Sequence, residues 1–147
     1  MNIPSLRLGS WLAGIWAGLL LCVAFIAAPA PFATLASADA GRVVARIFAQ
    51  EAYLSLAFAL VLYLIVRKQA HLAAAAGKGS VVSANVLLVL GTLFCTVAGY
   101  FALQPMLEAA RAGQGSFSFG ALHGASMGFF AMKGLVVLAL AWRLAGR

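Results

Sequence analysis

Four apolar runs, each long enough to cross a bilayer as a single helix, fix the class of fold this chain can adopt. They cover about residues 8–28, 40–66, 81–103 and 119–142. A hydrocarbon core about 30 Å thick is spanned by about 20 apolar residues at a rise of about 1.5 Å each. Inside that core every backbone N–H and C=O must find its partner within the segment, so each run is helical. The predicted fold is an all-α membrane protein. It is an antiparallel up-down bundle of four transmembrane helices in a single domain, residues 1–147, with both termini on one side. Composition agrees, since 65% of residues are hydrophobic and only 9% are charged. A soluble domain carries about 25% charged residues, so these few cannot cover a water-facing surface.

The junctions between runs carry the turn signals. Arg7 and the Ala28-Pro29-Ala30 segment resemble the flanks of a secretory signal. The first run is longer than a typical signal core of about 7–15 residues, and it is read as retained. Pro29 and Pro31 are read as ending the first helix, because proline cannot continue the ladder of backbone hydrogen bonds. Asp39 is placed to cap the second helix. His71 to Ser80 reads as a loop of small residues, and Gln104-Pro105 as the end of the third helix. Residues 105–112 then form a short interfacial helix in which Glu108 and Arg111, three apart, can pair.

The formal net charge of +7 does not point to nucleic acid, because the basic residues sit at the ends of apolar runs. Arg7, Arg67, Lys68, Lys78, Arg143 and Arg147 fall on the side of the termini, and Arg42, Arg46 and Arg111 on the other. Positive charge marks the cytoplasmic side, so both termini are expected inside. All three acids, Asp39, Glu51 and Glu108, lie toward the outer half. Asp39, Arg42, Glu108 and Arg111 form an outer-face charge cluster in this reading.

An ionisable residue at membrane depth marks a candidate site, because burying a lone charge there is costly. Helices two and four run in the same direction. Measured from Arg67 and Arg143 at about 1.5 Å per residue, Lys133 lies about 15 Å in, near the centre, and Glu51 about 24 Å in. Helical side chains lean toward the N-terminus, so Lys133 leans toward the level of Glu51 and a buried pair is expected. Arg46 and His123 fall at the outer boundary, about 30 Å from those margins. At about 100° per residue His123, Ser126 and Lys133 share one stripe of helix four, while Glu51 and Ser55 share one face of helix two. Arg46, Glu51, His123, Ser126 and Lys133 are therefore the candidate ligand-binding residues. Small residues at helical spacing, Gly14 and Gly18, Gly91 and Gly99, and Gly120, Gly124 and Gly128, are read as helix-packing faces. Cys22 and Cys95 read as small buried hydrophobes.

No phosphate-binding glycine loop, CxxC, HExxH or nucleophile elbow is present, and no metal site is assigned. The chain is too short to hold the two symmetric halves of a typical transporter. The leading functional expectation is a non-enzymatic membrane protein that binds or handles a small ligand or metal ion at its outer half. Two alternatives stand beside it. One is a haem-associated membrane oxidoreductase with His123 as an axial ligand. The other is a helper subunit whose glycine stripes dock another membrane protein or a second copy. Expected partners are the lipid bilayer and a homo-oligomeric or membrane-protein neighbour.

Short motifs spread along the chain carry a resemblance. They are Trp16-Ala17-Gly18-Leu19, Ala27-Ala28-Pro29 with Phe32 and Leu35, Ala40-Gly41 with Phe48, Gln104-Pro105-Met106 with Arg111, and Phe119, Leu122-His123 and Ser126. Together they resemble a bacterial member of the transmembrane protein 205-like family, built on domain of unknown function 4149. The resemblance implies a four-helix integral membrane protein, multi-pass in the bacterial inner (plasma) membrane, with no established reaction. The chain is also distantly similar to membrane proteins linked to copper resistance and to a haem-pathway oxidase. Pro29, Pro31 and Phe32 stand where that oxidase family carries a histidine after its first helix.

Overall fold

A computed structural model describes the backbone of residues 3–146 and the side chains of residues 7–146; Arg147, counted above with the basic residues of the terminal side, lies outside them. The first helix, α1 (Ile3–Cys22), runs directly into a π-helical turn, Val23–Ala27. A five-residue α2 (Ala30–Thr34) follows, and then α3 (Ser37–Ala75), which is 39 residues long. Next, α4 (Ala84–Thr96) runs into a second π-turn, Val97–Ala102, and on into α5 (Leu103–Arg111). The last helix is α6 (Phe119–Ala145). Four stretches are long and apolar enough to cross a membrane: Arg7–Thr34, Ser37–Ala75, Ala84–Arg111 and Phe119–Ala145. No strand occurs among the described residues. The chain is an all-α integral membrane protein.

The prolines do not end helices as the sequence suggests. Pro29 caps α2 and Pro31 lies in its first turn, where a backbone N–H has no intrahelical acceptor to lose. Pro105 is the third residue of α5 and follows the second π-turn, where the regular ladder is already interrupted. The expected separate interfacial helix at 105–112 is thus the continuation of the third span. The long second helix also exceeds its expected limits of 40–66. It starts at Ser37 with Ala36 at the N-cap, and no side chain caps it. Asp39 instead sits inside the first turn, where a carboxylate complements the positive helix end, and it pairs with Arg42. At the other end the expected His71–Ser80 loop is half helical, since α3 continues through His71 to Ala75. It stops where Gly77 takes a left-handed φ of 68°. Lys78 N–H then bonds Ala73 O at 2.9 Å, the closing bond of a glycine C-cap. Ser83 and Ser118 open α4 and α6 by accepting from Val86 N–H and Ala121 N–H.

α1 packs on α3 and α6, and α4 packs on the same two helices. The four spans therefore form a ring in which α1 faces α4, and α3 faces α6, across a diagonal. Short connections make successive spans antiparallel. One end, termed terminal, holds the chain ends and the α3–α4 turn; the distal end holds α2 and the α5–α6 turn. The dense core sits in the terminal half around Trp16, Leu62, Val66, Val89, Val137 and Leu140. Lipid is as apolar as leucine, so this core is held by close contact rather than by escape from water. Toward the distal end it thins. α3 has no buried residue between Ala40 and Glu51, and α6 has none between Leu122 and Lys133. One pattern departs from the sequence reading, because symmetry enters at a small scale. The order long helix, π-turn, short helix, long helix occurs twice.

Candidate functional site

Dense packing ends at a buried polar cluster in the middle of the ring. Glu51 and Ser55 lie one turn apart on α3, so both side chains project on one face. Ser55 donates its hydroxyl hydrogen to Glu51 Oε1. Lys133 reaches across from α6 and places Nζ 2.7 Å from Glu51 Oε1, 2.9 Å from Oε2 and 3.3 Å from Ser55 Oγ. From α1 the Trp16 indole N–H donates to Ser55 Oγ at 3.0 Å. Every strong donor in the cluster is thereby used. The ammonium has three N–H groups and three acceptors, and the serine oxygen gives one bond and accepts two. Glu51 and Lys133 are each 3% exposed. A single charge at the bilayer centre costs about 2.5–3.5 kcal/mol on insertion scales, and pairing cancels the net charge. Lys133 Nζ also lies 5.1 Å from the centre of the Phe130 ring. On the distal side Phe130 meets Phe48 of α3 edge to face, with centroids 5.3 Å apart. This aromatic contact lies between the ion pair and the loosely packed distal half.

The other candidate residues do not join the pair. Ser126 donates to the carbonyl of Gly99 at 2.9 Å and ties α6 to the second π-turn. π-turns leave carbonyl oxygens without their usual partners, and this bond satisfies one of them. His123 is exposed and stacks on Phe119 with centroids 5.7 Å apart and planes 11° apart. Arg46 is exposed on α3 beside an open groove of about 600 Å³ lined by Ala49, Gln50, Tyr53 and Leu54.

The distal charges divide differently from the expected cluster. Asp39 pairs with Arg42, one turn away on the same helix. The expected Glu108–Arg111 bond is not formed. Glu108 accepts from Gln104 Nε2 at 3.3 Å, while the Arg111 guanidinium lies 5.0 Å from the centre of the Phe119 ring. A planar guanidinium gains from an aromatic face what it would lose by bending back along its own helix.

Only part of the glycine reading agrees with the contacts. Gly99 packs directly on Phe129, and Gly91 approaches Val136, whose Cγ1 would lie 3.8 Å from an added Cβ. Gly14, Gly18, Gly120, Gly124 and Gly128 have no such neighbour within 4 Å. These five face outward from the bundle, because helical spacing alone does not say which face turns inward. Cys22 is likewise exposed, while Cys95 is buried.

Two features escaped the sequence reading. Trp16 is fully buried in mid-span rather than at an interface. Its central place in the first run was the available signal, since an indole N–H at that depth needs an acceptor. Near the terminal end, Arg143 Nε donates to the buried Asn85 Oδ1 at 3.0 Å and joins α4 to α6. Among the described residues no group of three or more His, Cys, Asp or Glu side chains is placed to hold a metal ion.

No curated protein matches the chain, and no solved structure does. The sequence model of one family, Domain of unknown function (DUF4149), matches residues 11–116. That stretch runs from α1 to the turn before α6, so it includes Glu51, Ser55 and Trp16, while Lys133 lies beyond it. On this match, which covers well over half of its length, the chain belongs to the DUF4149 family.

Proposed function

We propose that the protein is a bacterial, transmembrane protein 205-like member of its family that binds a small ligand in its distal half, with the Glu51–Lys133 pair as the floor of the site. The observation that carries this reading is the position of the pair. It lies where α3 and α6 stop burying side chains, since neither has a buried residue between the pair and Ala40 or Leu122. Above the pair, the Phe48–Phe130 contact acts as a lid. Arg46, Ser126 and His123 belong to the distal half, Ser126 bonded to the second π-turn and the other two on the surface. In this reading Lys133 meets an anionic group of the ligand, Glu51 meets a cationic one, and His123 and Arg46 act at the approach.

The bias of basic residues supports a reading in which the terminal end faces the cytoplasm and the distal half faces the outside of the plasma membrane. Native mass spectrometry of protein released from its own membrane tests the proposal. The parent chain is expected to carry a retained small molecule, and E51Q/K133M to lose it. A parent that carries no mass beyond its own chain and lipid contradicts the reading.

A second reading is favoured by the outward glycine face of α6. Gly120, Gly124 and Gly128 offer a smooth surface for another membrane helix, as in a helper subunit or a homo-oligomer. Cross-linking in native membranes from Gly124→Cys is expected to give a defined product, and a monomer throughout rules this reading out.

A further inference from the structure

The chain folds as two successive units of the same build. Residues 3–75 run through a long helix, a π-turn, a short helix with a proline in its first turn, and a long helix; residues 84–145 do the same. Packing repeats with the order. α1 lies on α3 as α4 lies on α6, and α1 lies on α6 as α4 lies on α3. α2 covers the start of α3 as α5 covers the start of α6, and each π-turn touches the long helix that follows it. Each packing relation among the elements thus has its counterpart. That is the signature of a twofold axis running along the bundle between the two units.

Sequence register agrees with this axis. The shift of 82 residues that separates Glu51 from Lys133 also carries Ala40 onto Leu122, Ser55 onto Val137 and Leu62 onto Leu144, all of them buried. The remaining buried residue of α6, Leu140, falls on the half-buried Phe58. In the first spans one register carries Pro29 onto Pro105 and superposes five further pairs, Gly9 with Asn85, Ala13 with Val89, Trp16 with Thr92, Leu20 with Thr96 and Val23 with Gly99, each buried in both units.

We infer that the protein is a single-chain pseudo-dimer of one helical unit, and that Glu51 and Lys133 hold the same position in the two units, where they select which units may pair. The inference stands apart from ligand binding, since it concerns how the halves recognise each other. Residues at one position across a twofold axis face each other. If two first units from separate chains paired, Glu51 would face the second copy's Glu51; two second units would set Lys133 against its own copy. Either pairing leaves like charges buried without a counter-ion. An acid in one unit and a base in the other disfavour both and leave the closed single chain as the stable pairing. This is recognition by repulsion of the wrong partner. The partner so recognised is the opposite unit, in the same chain or, when that is unsuitable, in a second copy.

Complementary full-length variants test this. E51K and K133E, each with its own tag, are co-expressed in one membrane. Each lacks an internal ion pair, and each holds the opposite charge needed by the other's remaining unit. The two chains are expected to co-purify about tenfold more than two differently tagged E51K chains do. Equal recovery of complementary and like-signed chains overturns the inference. The single-chain double variant E51K/K133E covers the case in which neither single variant accumulates alone. It is expected to regain most of the parent's thermal midpoint, and a midpoint no higher than either single variant also overturns the inference. The registers themselves are read with V137S, which sets a hydroxyl one turn from the relocated carboxylate. It is expected to raise the midpoint of E51K/K133E and to lower that of the parent. A shift of one sign in both chains contradicts the equivalence of the two positions.

Discussion

Lys133 bonds both carboxylate oxygens of Glu51, at 2.7 and 2.9 Å, although the helices that carry them lie across the diagonal of the ring. The long side chains close a gap that the backbones leave open. Two consequences follow for stability. Removing either partner strands a charge in a span that has no water to receive it. Removing both removes the problem along with the bond.

The variants K133M and E51Q are therefore expected to lose about 3–5 kcal/mol of stability each, as for a broken buried pair. The double variant E51Q/K133M is expected to recover most of that loss. Thermal unfolding in mild detergent measures it. Additive losses in the double variant would mean that the two side chains do not interact.

Trp16→Phe removes one hydrogen bond and leaves a small cavity where the larger indole was packed. The ring stacks on Phe58 with centroids 5.7 Å apart and planes 8° apart, a contact that phenylalanine can keep in part. Ser55 loses the indole donor but keeps its bond to Glu51. A loss of about 1–3 kcal/mol is expected from the same unfolding measurement, one hydrogen bond together with the cavity. A neutral result would mean that the indole N–H contributes nothing there.

Glycine substitutions separate the two kinds of glycine. A methyl group at Gly99 would collide with Phe129 Cβ, and one at Gly124 meets nothing within 4 Å. Gly99→Ala is expected to destabilise by about 1–3 kcal/mol through overpacking. Gly124→Ala is expected to be neutral or slightly stabilising in the isolated chain, because alanine is the better helix former. Unfolding midpoints of the two variants, compared side by side, check this.

Ser126→Ala leaves the Gly99 carbonyl of the second π-turn without its partner. A loss of about 1–3 kcal/mol is expected for an acceptor left unsatisfied. Hydrogen exchange should rise in Val97–Ala102 and leave the terminal half unchanged. Uniform exchange across both halves would contradict a local role.

The features that were legible in the sequence are those that helix geometry fixes. The four apolar runs set the spans, and the Glu51–Lys133 pair follows from rise per residue and the lean of side chains toward the N-terminus. What failed depends on neighbours. A proline ends a helix only where it breaks a bond that would otherwise exist, and the π-turns before Pro29 and Pro105 had already interrupted the ladder. Glycine spacing marks a smooth face without saying whether protein or lipid meets it. Trp16 received no partner from the sequence, although an indole N–H at mid-span depth needs an acceptor. Arg111 chose an aromatic ring from a different helix over the acid beside it, and no local spacing records that choice.

The most direct test of the central claim, that the ion pair is the floor of an accessible distal half, is cysteine labelling along α3 in whole cells. In a C22A/C95A background, Val44→Cys and Phe48→Cys lie on the interior face above Glu51, and Leu62→Cys lies below it, in the buried core. A small membrane-impermeant thiol reagent added from outside is expected to label the first two and to leave the third untouched. Protection of all three, or equal labelling above and below Glu51, would contradict the account.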